Sequence, residues 1–170
     1  MLKLMARSRE RRQTAARLVA ALIARARAPA FFTKLNVVDT IDGRFDLVAL
    51  HAFLVLERLE IMGRRDLSQA LTDAVFAGFD EALRDQGAGD IGMGRRMKKM
   101  ADAFYGRLQA YRAAADREAL AASILRNVYR GQKGKDASAH ALAHYVEGAR
   151  PALAACDIQA GDLDFGPLPA

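Results

Sequence analysis

Apolar residues recur at three- and four-residue steps along most of this chain, the period of an α-helix. The clearest stripe is Phe45, Val48, Ala52, Val55, Leu59 and Met62, widened by Leu47, Leu50 and Leu54. It predicts a central helix from about Arg44 to Met62, ended by Gly63. Before it, Ala15, Leu18, Leu22, Ile23 and Ala26 predict a basic helix over Ser8–Ala28, stopped by Pro29. After it, Leu67, Ala70, Leu71, Ala74, Val75, Gly78 and Ala82, extended by Phe76, Phe79 and Leu83, predict a helix to about Arg84. Asp66-Leu67-Ser68-Gln69 reads as its capping box. Met97, Met100, Ala101, Phe104, Leu108 and Tyr111 predict a fourth helix from Arg95 to Ala114. Asp116 is placed to cap a fifth to about Tyr129, with Leu120, Ile124 and Val128 inward. Ser138 starts a sixth, through Leu142, Tyr145, Val146 and Ala149, which Pro151 kinks or restarts.

The punctuation fits that reading. Asp39-Thr40-Ile41-Asp42-Gly43 holds capping and turn residues, and Gly131–Asp136 is a basic loop. Leu163 and Phe165 are placed to tie the tail down. No repeat of fixed period and no convincing strand pair is present. The expectation is an all-α fold, one compact domain over residues 1–170 with about six helices, and residues 1–7 and 166–170 flexible.

Composition supports helices: the 170 residues are rich in Ala, Leu and Arg, with 4 prolines. The longest uncharged runs, Leu47–Leu56 and Ala137–Val146, fall far short of the ~20 residues of a membrane span. No secretory signal is apparent. The Arg-rich start has the composition of a mitochondrial transit peptide, yet it runs directly into the folded region and is read as part of it. Cys156 is the single cysteine, so no internal disulfide is expected, which suits a reducing compartment.

Charge changes the picture more. The net +6 is distributed in blocks: +7 over residues 1–28, −5 over 29–94, +8 over 95–135 and −4 over 136–170. Such blocks imply docking surfaces of both signs, with anionic lipid, RNA or an acidic protein patch as candidates for the basic ones.

The stretch from Leu83 to Arg107 concentrates the unusual chemistry. Gly87-Ala88-Gly89-Asp90-Ile91-Gly92 matches the dinucleotide pattern GxGxxG, but that pattern needs a strand before it. Ala82–Gln86 reads as helix, so the match is a helix–helix turn, with Asp90 placed to cap the next helix. Arg95, Arg96, Lys98 and Lys99 load cations on a helix start, the end of the macrodipole that prefers acids. They read as a docking patch for phosphate or carboxylates, although no aromatic is interleaved for single-strand nucleic acid. In Phe104-Tyr105-Gly106-Arg107 the glycine points to close helix crossing, with Tyr105 and Arg107 turned away from Phe104. His51 reads as a hydrogen-bonded core histidine. His140 and His144 lack a third ligand fixed by sequence, and Asp39, Asp42 and Asp46 lack the glycine and glutamate of a calcium loop. No catalytic pattern stands out. A minor reading sets Asp39, Asp42, Arg44 and His51 in an enclosed pocket for a small acidic ligand.

In their order, several strings resemble the ubiquinol–cytochrome c chaperone family: Pro29-Ala30-Phe31-Phe32, Val38–Phe45, Leu50-His51, Leu83–Asp90, Gly94, Arg96–Met100, Phe104–Arg107 and Arg126–Tyr129. The resemblance spans roughly Leu18 to Phe165. It departs at Phe32, where the family usually has Tyr, and at Asp85-Gln86, where it usually has Glu-Met. It implies an all-helical, non-enzymatic assembly factor for ubiquinol–cytochrome c reductase that binds newly made cytochrome b or another subunit and needs no cofactor. Mitochondrial relatives work beside the ribosomal tunnel exit. For this chain the implied place is the bacterial cytoplasm or the cytoplasmic face of the inner membrane, with peripheral contact to anionic lipid, or the matrix if the source is eukaryotic. The alternative is a basic helical RNA- or ribosome-binding protein with an indirect link to the complex; specific DNA binding is not expected. Expected contact residues are Arg84, Asp90, Lys98, Lys99, Tyr105 and Arg107, with Asp39, Asp42, Arg44 and Phe45 as a second patch.

Overall fold

The computed structural model describes residues 2–85, 87, 89 and 91–169, with side chains described from residue 5 onward. In chain order the helices are α1 (Leu2–Ala26), α2 (Pro29–Thr33), α3 (Ile41–Ile61), α4 (Arg65–Asp85), α5 (Met93–Arg112), α6 (Arg117–Asn127) and α7 (Asp136–Ala155), followed by a 3₁₀ turn at Ile158–Ala160. Six are long and α2 is a single short piece. The described residues are 76% helical and no strand occurs among them.

The stripe of α3 becomes the centre of the core. Thirteen of its 21 residues are buried, and it packs against α1, α4, α5 and α7. The helix starts at Ile41, earlier than the expected Arg44, because the Thr40 hydroxyl accepts the Gly43 amide at 3.1 Å. A Cβ at Gly43 would lie 2.0 Å from the Val38 carbonyl oxygen, so only glycine lets the connector fold down on the first turn of α3. The far end is a Schellman turn. Gly63 takes φ +68°, and the Arg64 and Gly63 amides donate to the carbonyls of Leu59 and Glu60, each at 2.9 Å.

Three local expectations are corrected. α1 reaches back to Leu2 rather than beginning at Ser8. The Asp66–Gln69 capping box does not form: Asp66 lies inside the first turn of α4, Arg64 holds its carboxylate at 3.1 Å, and Gln69 donates to Asp73 at 2.8 Å. α7 runs unbroken through Pro151 to Ala155, so that proline does not restart it. Asp116 does cap α6, accepting the Ala119 amide at 2.8 Å.

Beneath α3 lies a buried polar relay. His51 is fully buried, with Nδ1 2.7 Å from the Leu47 carbonyl and Nε2 2.9 Å from the Tyr145 hydroxyl. A carbonyl only accepts, so Nδ1 carries the proton and Nε2 accepts from Tyr145. The Tyr145 oxygen in turn accepts from Arg25 Nε at 3.0 Å. Arg25 also holds the Gly166 carbonyl at 2.6 Å, and the Phe165 ring stands edge-on to His51 at 5.0 Å. The tail is thus tied down through Phe165, as its apolar character predicts. Burial, opposed by the bond to Leu47 and helped by Arg25, lowers the His51 imidazole to about 4.

Candidate functional site

Phe45 joins the two expected patches. It projects from the first turns of α3, half-buried, with its ring 5.2 Å from Phe79 of α4. The Arg107 guanidinium of α5 covers it at 5.0 Å. Arg107 is therefore turned inward, its side chain 14% exposed. Its Nε donates to Asp46 at 2.7 Å and its Nη1 to the Ala103 carbonyl at 2.9 Å. Asp46 is fully buried, and its other oxygen pairs with Arg130 at 2.8 Å. Burial pushes the Asp46 carboxyl up to about 6, against the pull of both arginines. The triad ties α3, α5 and the loop after α6 together, directly beside the groove through Arg107 and Phe45.

That groove opens beside Phe45. It has a volume of about 190 Å³ and is walled by Ile23 of α1, Phe45 and Val48 of α3, Val75 and Phe79 of α4 and Met100 of α5. Gly78 and Ala82 keep the α4 wall low, and a Cβ on Gly78 would meet nothing within 4 Å. Ile41, also on the wall, is 60% exposed. Arg27 and Arg44 stand at the rim and also line an adjoining depression of about 370 Å³ with Pro29, Phe32, Thr33 and Asp39. Arg44 pairs with Asp39 at 2.7 Å, and that contact draws the Asp39 carboxyl below its usual value.

The remaining candidates sit apart. Lys98 and Lys99 are exposed on the first turns of α5 and, like Arg95 and Arg96, make no ion pair with a described residue. Arg84 donates to Asp80 at 2.8 Å near the end of α4. Tyr105 is 52% exposed, against Phe76 and Phe104 on one side, and borders a different open cleft with Glu60, Thr72 and Arg112. Asp42 is exposed in the first turn of α3. Asp90 lies outside the described residues, as do Gln86 and Ala88 of the same turn. The helix beyond that turn is led by Gly92 in the left-handed region.

The pocket expected around Asp39, Asp42, Arg44 and His51 is not formed. His51 is sealed among Phe31, Tyr145 and Phe165, while Asp39 and Arg44 line an open depression. Among the described residues no group of three or more His, Cys, Asp or Glu is placed to hold a metal ion. Residues that sequence reasoning did not assign to a contact patch are Arg27, Phe79, Met100 and Asp46. For Asp46 a signal was present: a lone acid at the spacing of Leu50 and Phe53, on the face that enters the core.

Fold and site define an all-helical protein whose distinctive surfaces are an apolar groove with a basic rim and an exposed run of cations. The family model described as Ubiquinol-cytochrome C chaperone matches residues 33–160, and the chain belongs to that family. It is similar to the crystal structure of the Cbp3 homolog from Brucella abortus, with a TM-score of 0.84 and 35% identity over 98% of this chain and 97% of that one. No curated protein matches the chain. Family membership makes it a chaperone, an assembly factor of the cytochrome bc complex.

Proposed function

We propose that this chaperone acts by binding newly made cytochrome b, without catalysis, and shielding an apolar segment until haem and partner subunits join. The observation that carries this reading is the groove at Phe45. Its walls are helices whose backbone groups are already bonded within themselves, and its lining is apolar. An occupant must therefore satisfy its own backbone, as a helix does. Cytochrome b as an integral membrane protein would offer such segments. The cations of α5 and the basic α1 would hold the complex at anionic lipid or near a ribosome. Among the described residues no helix is long and apolar enough to cross a membrane, so the contact proposed is peripheral, at the cytoplasmic face of a bacterial inner membrane or in the matrix of a mitochondrion.

Deletion of the gene tests the client. The expected result is loss of mature cytochrome b ahead of other respiratory subunits. A clean deletion with normal levels of the assembled complex contradicts the reading.

The exposed cations Arg95, Arg96, Lys98 and Lys99 favour a second reading, direct binding of RNA or the ribosome. That reading predicts a steep loss of RNA affinity with salt for the purified protein. RNA binding that is weak and flat in salt removes it.

A further inference from the structure

The groove and the adjoining depression share two residues, Arg27 and Arg44. Both are exposed cations at the mouth of an apolar cleft. Arg27 makes no ion pair or side-chain hydrogen bond with any described residue. Arg44 is occupied, but only by Asp39 of the connector, and that pair is exposed on both sides, 55% and 54%. An exposed pair of this kind exchanges partners at little cost, because each ion is nearly as well served by water. An arriving ligand thus meets an apolar floor and, beside it, one open guanidinium and a second held by a replaceable carboxylate.

We propose that the groove selects an amphipathic helix that carries a carboxylate next to its apolar face, received by Arg27 and Arg44, with Asp39 as the resident carboxylate it displaces. The proposal rests on the groove as the client site and names what distinguishes a client segment from any other apolar helix. Apolar filling supplies contact: the 190 Å³ groove holds about six waters' worth of liquid, which leave when side chains enter. The charge supplies register, since a helix that slides by one turn removes its carboxylate from the arginines. Asp39 keeps Arg44 paired while the groove is empty, and an apolar segment that brings no acid gains nothing from either arginine.

The test uses the full chain and labelled synthetic Leu/Ala helices of about 18 residues, identical except for Glu, Gln or Lys at one position beside the apolar face. Fluorescence anisotropy should show the Glu helix binding about tenfold more tightly than the Gln helix, with the Lys helix weakest. Arg27→Glu should invert that order, and Asp39→Asn should tighten the Glu helix about threefold. Equal binding of all three helices, or an order unchanged in Arg27→Glu, overturns the proposal. So does self-association through this face or binding to anionic vesicles in place of the helices, each abolished by Arg27→Glu. The client reading fails separately. Helix selectivity as predicted with no capture of cytochrome b would leave the proposal standing and remove the client. Capture of cytochrome b undiminished by Arg27→Glu would keep the client and overturn the proposal.

Discussion

Tyr111 is buried on the inner face of α5 against Phe53, and its hydroxyl has no hydrogen-bond partner among the described residues. Burial, with Asp46 nearby, raises its pKa far out of range, so it stays neutral. An unmet buried hydroxyl is a cost, and Tyr111→Phe should leave stability unchanged or raise it by about 1 kcal/mol in urea denaturation. A loss of stability would show a partner that this geometry lacks. Gly43 behaves in the opposite way. Gly43→Ala forces the Val38 carbonyl off the first turn of α3 and should cost about 3 kcal/mol, readable as a lower urea midpoint at unchanged slope. The two buried titrating groups oppose each other. His51 falls from 6.5 to about 4, so its contribution is complete above 6.5 and is lost as pH drops toward 4. Asp46 rises from 3.8 to about 6, so its contribution is complete below 3.8 and is lost as pH rises through 6. Each amounts to about 3 kcal/mol over its window. Asp46→Asn should therefore expose the histidine: its stability should fall more steeply than wild type between pH 6.5 and 4. Equal slopes for the two proteins would contradict this assignment.

At the scale of elements, periodicity made the long helices legible because their buried stripes are wide and their ends chemically marked. Thr40, Gly63 and Asp116 act at termini as their side chains or conformational freedom dictate. Replacing Asp116 with Ala should cost about 1 kcal/mol, the usual worth of such a cap, measured by thermal or urea unfolding. What escaped was decided by competition or by distant partners. Asp66 looks like a cap until Arg64 takes its carboxylate, and Gln69 turns to Asp73. Pro151 looks like a break, yet α7 continues through it, packed on α6 and α3. Arg107 looks like a surface residue of α5 until Asp46, 61 positions earlier in sequence, proves to be its partner. The candidate site was legible in part. Arg44 and Phe45 were expected and do line the groove, whereas Arg27, Phe79 and Met100 join it only because α1, α4 and α5 converge there. No local spacing encodes that convergence.

For the whole molecule, the groove is where four helices converge on exposed apolar surface, and the basic α5 start is where charge is left unpaired among the described residues. A chaperone needs both a place to hold an apolar segment and a means of staying where that segment emerges. These two surfaces are separable by mutation. Lys98→Glu/Lys99→Glu should weaken recovery with membranes or ribosomes in sedimentation while leaving the thermal midpoint within a degree or two of wild type, since exposed charges contribute little to stability. Gly78 gives sharper access to the groove. Its missing side chain faces open space on the α4 wall, so Gly78→Leu should fill the cleft without a clash, and it exchanges the poorest non-proline helix former for a good one.

That substitution provides the most direct test: capture of newly made cytochrome b from solubilised membranes by the wild-type chain and by Gly78→Leu, at matched folded protein. Capture by wild type and its loss in a Gly78→Leu protein at least as stable is the predicted result. Equal capture by both would contradict the groove as the place where this chaperone holds its client.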